Sequence, residues 1–190
     1  MNNHSFNYIV KYPFYSPDRL HQALIIILDN KGRIVLAEKK GYYPDGIYRF
    51  FGGRVDNGEN PRLAAIREIK EELNIDIHNS DLKDVMHIES NMEIAGTVQT
   101  LITDIYFYEI GIMDFEVGDD VSGYTSVTLD EFEKLITRMS DLQGEYSGQT
   151  KGKSVNFYWN DWGQVNSKIH QLAYDYIVNR NESSSDNTNI

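Results

Sequence analysis

Three glutamates, Glu68, Glu71 and Glu72, stand at i, i+3 and i+4 in a stretch whose apolar residues Leu63, Ile66, Ile69 and Leu73 recur at helical spacing. On a helix that spacing brings the three carboxylates to one side, with the apolar residues free to pack on a sheet. Like charges so placed repel one another. In the C-terminal half of the helix the macrodipole also disfavours each by about 0.3–1 kcal/mol. Two chemistries accommodate such a cluster: a hard divalent cation, which takes oxygen ligands, or an acidic face left in water. The spacing alone does not choose between them.

The neighbouring residues favour a cation. Gly52 and Gly53 lie just upstream, where bare backbone can turn sharply and approach a metal or phosphate closely. Glu59 and Arg67 carry opposite charge and bracket the loop and the first helical turns. An ion pair between them would hold the loop to the helix, although an exposed pair contributes only about 0–1 kcal/mol. Pro61 suits a first helical turn and Asn74 a left-handed cap, so the helix is expected over about 61–73.

Taken together, Gly53 to Ile75 resembles the Nudix box: Gly, five residues, Glu, seven residues, then Arg-Glu-aliphatic-any-Glu-Glu-any-Gly-aliphatic. Every fixed position matches except the last Gly, where Asn74 stands, and Phe51 replaces the Pro of the Pro-Gly-Gly that many relatives carry. The resemblance implies a fold of the α/β (α+β) class, a Nudix-like α/β/α sandwich with a mixed central sheet. It implies a catalytic set of Glu68, Glu71, Glu72, Arg67 and Glu59, and a Mg²⁺ or Mn²⁺ cofactor. Glu71 and Glu72 would be the main metal ligands, with the Gly52 carbonyl completing the shell. Glu68 would be a further ligand, a group behind the ligands, or the base for the attacking water. Arg67 and Glu59 would orient. The cation would neutralise diphosphate charge, polarise the P–O bond and acidify a water. A carboxylate taking the proton would add roughly 10²–10⁴-fold. Relatives often draw one more acid from a distal loop, which points to Asp119 and Asp120, with Glu116 behind them. A turn with solvated carboxylates explains that segment equally well.

Tyr43 and Tyr48, with Tyr42, precede the glycine pair and are candidates to stack on a substrate base, and Arg49 is a candidate to meet a phosphate. Trp159 and Trp162 read as packing for a terminal helix, and His21 and His87 as structural residues.

The elements that must position these groups are legible in outline. His21 to Leu28 and Ile34 to Ala37 flank Asp29-Asn30-Lys31-Gly32 and form a hairpin, the first strand apolar enough to be central. Tyr48 to Phe51 is a short strand candidate ahead of a turn at the two glycines. Val85 to Ser90, Thr97 to Thr103 and Asp104 to Ile110 are rich in β-branched and aromatic residues and read as strands, as does Tyr124 to Val127. Leu129 to Met139 and Trp162 to Asn179 read as helices. One domain over 1–180 is expected, with 181–190 as a polar, frayed tail.

Composition bounds the partners. The chain has 190 residues, 41% of them hydrophobic, and a formal charge of -11, so a long nucleic acid is a poor partner and a small nucleotide-type substrate with a metal is a better one. There is no cysteine, which excludes disulfides, thiolate catalysis and cysteine zinc sites. The N-terminus lacks the pattern of a secretory signal, and the longest aliphatic run, Ala23 to Leu28, is too short to span a bilayer, so a cytoplasmic protein is expected. Thirteen tyrosines fit strands, a stacking pocket or a dimer face, which leaves a homodimer as a candidate state. The leading expectation is a metal-dependent hydrolase of a diphosphate bond in a nucleoside diphosphate derivative such as a nucleotide sugar, dinucleotide or modified nucleotide. The alternatives are a catalytically silent Nudix-like nucleotide sensor and an RNA 5′-pyrophosphohydrolase.

Overall fold

The apolar run Ala23–Leu28 lies inside a strand buried on both faces. Ala23, Ile25 and Ile27 pack with one helix, and Leu24, Ile26 and Leu28 with the other two. Each of the Leu and Ile side chains, fully withdrawn from water, contributes on the order of 1.5–3 kcal/mol. The computed structural model describes residues 1–16, 19–39, 43–111, 116–118, 121–150 and 153–186. Its strands are β1 (Asn2–Ile9), β2 (His21–Leu28), β3 (Ile34–Lys39), β4 (Phe51–Arg54), β5 (Lys83–Ile94), β6 (Thr97–Glu109), β7 (Val121–Val127), β8 (Glu145–Thr150) and β9 (Lys153–Tyr158). Its helices are α1 (Pro61–Leu73), α2 (Leu129–Ser140) and α3 (Trp159–Asp186).

Seven strands form one mixed sheet in the order β1-β5-β6-β2-β3-β7, with β4 paired to β2. The β1–β5 and β2–β6 pairs are parallel and the others antiparallel. Strand β2 is shared along its length: Ile27 and Leu28 pair with β3, while Gln22 to Ile25 pair with β4. Helix α1 covers one face, and α2 and α3 cover the other with most of the large side chains. This is the expected α/β/α layering, with β8 and β9 as a separate hairpin. No helix among the described residues is long and apolar enough to cross a membrane.

Several expectations shift. The two glycines lie inside β4, which begins at Phe51 rather than ending there, and only an isolated bridge joins Arg49 to Ala37. Thr97 to Glu109 is one strand of 13 residues, because its register against β5 runs on through Thr103 and Asp104. The helix expected over Trp162 to Asn179 runs from Trp159 to Asp186, with Ser183 Oγ donating to the Asn179 carbonyl at 2.9 Å, and residues 187–190 of the expected tail lie outside the described residues. The sequence reading missed β1 and the β8–β9 hairpin altogether, although Phe6, Tyr8 and Val10 alternate with polar residues at strand period.

Candidate active site

Helix α1 begins and ends as its sequence dictates. The Asn60 side chain accepts from the Arg62 N–H, Pro61 occupies the first turn, and Asn74 takes a left-handed φ of 53° while its N–H bonds the Lys70 carbonyl. Its buried face differs from the expected one. Leu63 is 55% exposed and Ile66 half-buried, while Ala64, Ala65, Ile69, Glu72 and Leu73 face the protein. The small alanines let α1 lie close to the sheet. The stripe Ala65–Ile69–Leu73 then carries Glu68 and Glu72 inward beside it, leaving Glu71 turned to solvent.

Those two glutamates meet the glycines of β4. Gly52 has φ +118°, and a Cβ there would stand 2.1 Å from the Ala23 carbonyl oxygen of β2, so no other residue fits. A Cβ on Gly53 would stand 2.6 Å from the Glu68 carboxylate. Glu72 is only 3% exposed, and its carboxylate accepts from the Gly52 N–H at 2.9 Å through Oε2. Its other oxygen, Oε1, accepts from the ammonium of Lys39, which also donates to the Gly52 carbonyl at 3.0 Å. Gly52 and Glu72, both expected around a metal, therefore share one cation supplied by the chain itself.

The donor chemistry fits Mg²⁺ or Mn²⁺. Every candidate ligand offers oxygen, two of them already face a common cation, and the carboxylates of Glu59, Glu68, Glu71 and Glu72 share the cations Arg67 and Lys39. Among the described residues the acidic side chains do not converge tightly enough to form a closed cage: Glu68 and Glu71 are turned to Arg67 rather than to Glu72.

Arg67 fastens the loop to the helix. Its Nε and Nη2 grip Glu59 at 3.0 Å each, Nη2 also bonds the Arg54 carbonyl at 2.8 Å, and Nη1 reaches Glu68 at 2.8 Å and Glu71 at 3.2 Å. Glu59 in turn accepts from the Asp56 N–H at 2.9 Å. The Arg67 hydrogen bonds hold the Glu59 carboxyl below its usual range. Glu68 moves the other way: burial raises its pKa, only partly offset by Arg67, which makes it the better proton acceptor of the two. Glu71 has a side chain 57% exposed.

The distal loop closes on the same helix. The Gly118 N–H donates to the Glu72 carbonyl at 2.9 Å, and a Cβ on Gly118 would stand 1.8 Å from the Glu71 carbonyl oxygen. Asp119 and Asp120, the expected distal acids, lie outside the described residues, and Glu116 is exposed.

Arg49, Tyr43 and Tyr48 sit elsewhere. The Arg49 guanidinium donates to the Tyr43 hydroxyl at 2.8 Å and lies 5.6 Å over both the Tyr43 and Trp162 rings. Tyr43 and Tyr48 pack with the α2/α3 side of the core, so the sheet separates all three from Glu68 and Glu72. Tyr42 lies outside the described residues. Trp159 and Trp162 pack edge to face, their centroids 5.6 Å apart. His21 and His87 clasp the buried Asp104 at 2.7 and 2.8 Å. Lys39 is the site residue that sequence reading passed over. Its signal was the strand period: Val35, Ala37 and Lys39 share a face, but nothing in the sequence said that this face takes α1.

The NUDIX domain model matches residues 18–146. An 8-oxo-dGTP diphosphatase of Proteus vulgaris is 30% identical over 69 residues, 36% of this chain and 62% of that protein. A CTP pyrophosphohydrolase of Escherichia coli is 32% identical over 59 residues, 30% of this chain and 44% of that protein. The matched stretches thus span less than two thirds of either relative. In fold, the chain is similar to a MutT/nudix family protein from Enterococcus faecalis, with TM-score 0.54 and 15% identity over 89% of this chain and 65% of that one. It is also similar to the E. coli dihydroneopterin triphosphate pyrophosphohydrolase, with TM-score 0.51 and 18% identity over 62% of this chain and 86% of that one. With the NUDIX domain model matching residues 18–146, over half of its length, the chain belongs to the Nudix family.

Proposed function

We propose that this protein hydrolyses the diphosphate bond of a nucleoside diphosphate bearing a further group, using Mg²⁺ or Mn²⁺. The observation that carries this reading is the convergence of the Gly52 carbonyl and the buried Glu72 carboxylate on one cation, beside Glu68 and the bare backbone of Gly53. A divalent cation held there by Gly52 and Glu72, with Glu71 on the same helix turn, would supply charge neutralisation at the diphosphate and activation of a water, leaving Glu68 beside it as the base.

The chain's own groups do the rest. Glu68, raised in pKa by burial, takes the proton of the attacking water. Arg67 orients Glu68 and holds the 54–59 loop against α1, so that the phosphates meet a fixed surface. Gly53 leaves room beside Glu68 that any side chain would fill. Tyr43, Tyr48 and Arg49 lie across the sheet from these groups and take no part in the diphosphate step. Asp119 and Asp120 remain the candidates for a distal acid.

The test is product release from a panel of nucleotides with Mg²⁺, Mn²⁺ or chelator, starting with the nucleoside triphosphates named in the two relatives and extending to nucleotide sugars, dinucleotides and 5′-triphosphorylated RNA. Metal-dependent cleavage that falls by at least about 10²-fold in Glu72→Gln is expected. A Glu72→Gln variant as active as the parent would refute the assignment. A folded, metal-binding protein that cleaves nothing in the panel would favour a nucleotide sensor.

A further inference from the structure

We propose that Lys39 is an exchangeable internal cation: its ammonium holds the Gly52 carbonyl and the Glu72 carboxylate in place when no metal is bound, and gives up that position when a divalent ion enters. The inference rests on the metal reading above and adds a competitor to it.

Geometry carries the case. Lys39 ends β3 on the face that α1 covers, and its side chain is only 13% exposed against 4% for that of Glu72. Its ammonium donates to the two oxygens, Gly52 O and Glu72 Oε1, that the site offers to a cation. With the ammonium removed, the buried Glu72 carboxylate would keep, among the described residues, only the Gly52 N–H as partner. A buried carboxylate stripped of its counter-charge is strongly destabilised, so without Lys39 the metal-free site would not hold this shape. The same oxygens cannot serve both cations, because two positive charges would then occupy one small, weakly solvated space. Occupancy by the ammonium and by the metal are therefore linked and mutually exclusive, and the linkage is reciprocal. Lysine suits this exchange because its charge is a point at the end of a flexible four-carbon stem, which can swing clear without moving the strand.

Two measurements test this on the intact chain. The first is amine acylation of the wild-type protein followed residue by residue by mass spectrometry, in chelator and in saturating Mn²⁺. Lys39 is expected to react faster with metal by about tenfold, while the exposed Lys31 and Lys134 keep their rates. The second is calorimetric titration of Mn²⁺ into chelator-stripped wild type, Lys39→Met and Lys39→Arg. The Met variant should bind Mn²⁺ about tenfold more tightly and melt lower than wild type in chelator, and the Arg variant should keep weak, wild-type-like binding. Unchanged or slower Lys39 acylation in a wild type that binds Mn²⁺, or weaker binding by the Met variant, overturns the exchange and leaves the proposed function standing. A wild type that binds no divalent ion overturns both.

Discussion

His170 should make this protein acid-labile. The ring is fully buried in α3, stacked on Phe50 at 4.6 Å and tilted against Phe132 at 5.9 Å. Its Nδ1 lies 2.7 Å from the Asn166 carbonyl, an acceptor, so Nδ1 carries the proton of the neutral ring and donates it. Nε2 is buried without a partner among the described residues. Loss of solvent, with Arg49 nearby, pushes the pKa down from 6.5 to about 3. The unfolded chain binds a proton at His170 below about pH 6.5 and the folded chain does not, so this contribution is complete above that pH and is lost as pH falls toward 3. Each pH unit within that window costs about 1.4 kcal/mol, so moving from pH 7.5 to 5.0 removes about 2 kcal/mol. The assay is urea unfolding of wild type and His170→Leu at both pH values. Other groups titrate in both proteins, and the difference between them isolates His170. The variant should lose about 1 kcal/mol at pH 7.5 with the hydrogen bond, yet show a fall to pH 5.0 smaller by about 2 kcal/mol than the wild type's. A variant as acid-sensitive as its parent, or an NMR titration of His170 in the folded protein centred near 6.5, would refute the reasoning.

The remaining predictions concern the site and its supports. Arg67→Met strands Glu59 and Glu68 and frees the 54–59 loop; a loss of about 1–3 kcal/mol in urea unfolding is expected, with turnover falling while Mn²⁺ still binds by calorimetry. Gly118→Ala drives a methyl into the Glu71 carbonyl, so the 116–118 segment must leave α1; a drop in melting temperature equivalent to about 1–3 kcal/mol should accompany faster hydrogen exchange at residues 118 and 121. Asp104→Ala removes the partner of both His21 and His87 and should cost about 1–3 kcal/mol by denaturant unfolding; a neutral result would show that the clasp contributes nothing.

The parts of the site legible in the sequence are those fixed by backbone conformation and helix period. Helix α1 runs from Pro61 to Leu73 as expected because a cap, a first-turn proline and a left-handed Asn bracket it, and those signals act within a few residues of chain. The Glu59–Arg67 pair was legible for a similar reason: the seven residues between them are the Asn60 cap and the first six residues of α1. What escaped depends on which face of the sheet each segment joins. Arg49 and Gly52 are three residues apart, yet the Arg49 side chain faces α3 and the Gly52 carbonyl faces Lys39 under α1. Lys39 escaped because its partner is 33 residues away on a helix whose docking face the sequence does not declare. Leu63 misled for the converse reason: helical spacing marks it as apolar-face, but Ala64 and Ala65 win that face because smaller side chains let the helix sit closer.

That docking also explains how an unfavourable helix is maintained. Four acidic groups crowd around α1, two of them in its last turn, where the macrodipole opposes them, and Glu72 is withdrawn from water as well. No residue within the helix relieves Glu72, since Arg67 reaches Glu68 and Glu71 instead. Relief comes from the sheet, through the Gly52 N–H and the Lys39 ammonium. An isolated peptide of residues 60–74 should therefore be a poor helix at neutral pH and a better one when its carboxylates are protonated, whereas the folded domain keeps the helix at neutral pH. Circular dichroism of the peptide from pH 7 to 3 decides it. Helicity that does not rise on acidification would mean that local repulsion is negligible, and that the cations around α1 serve chemistry alone.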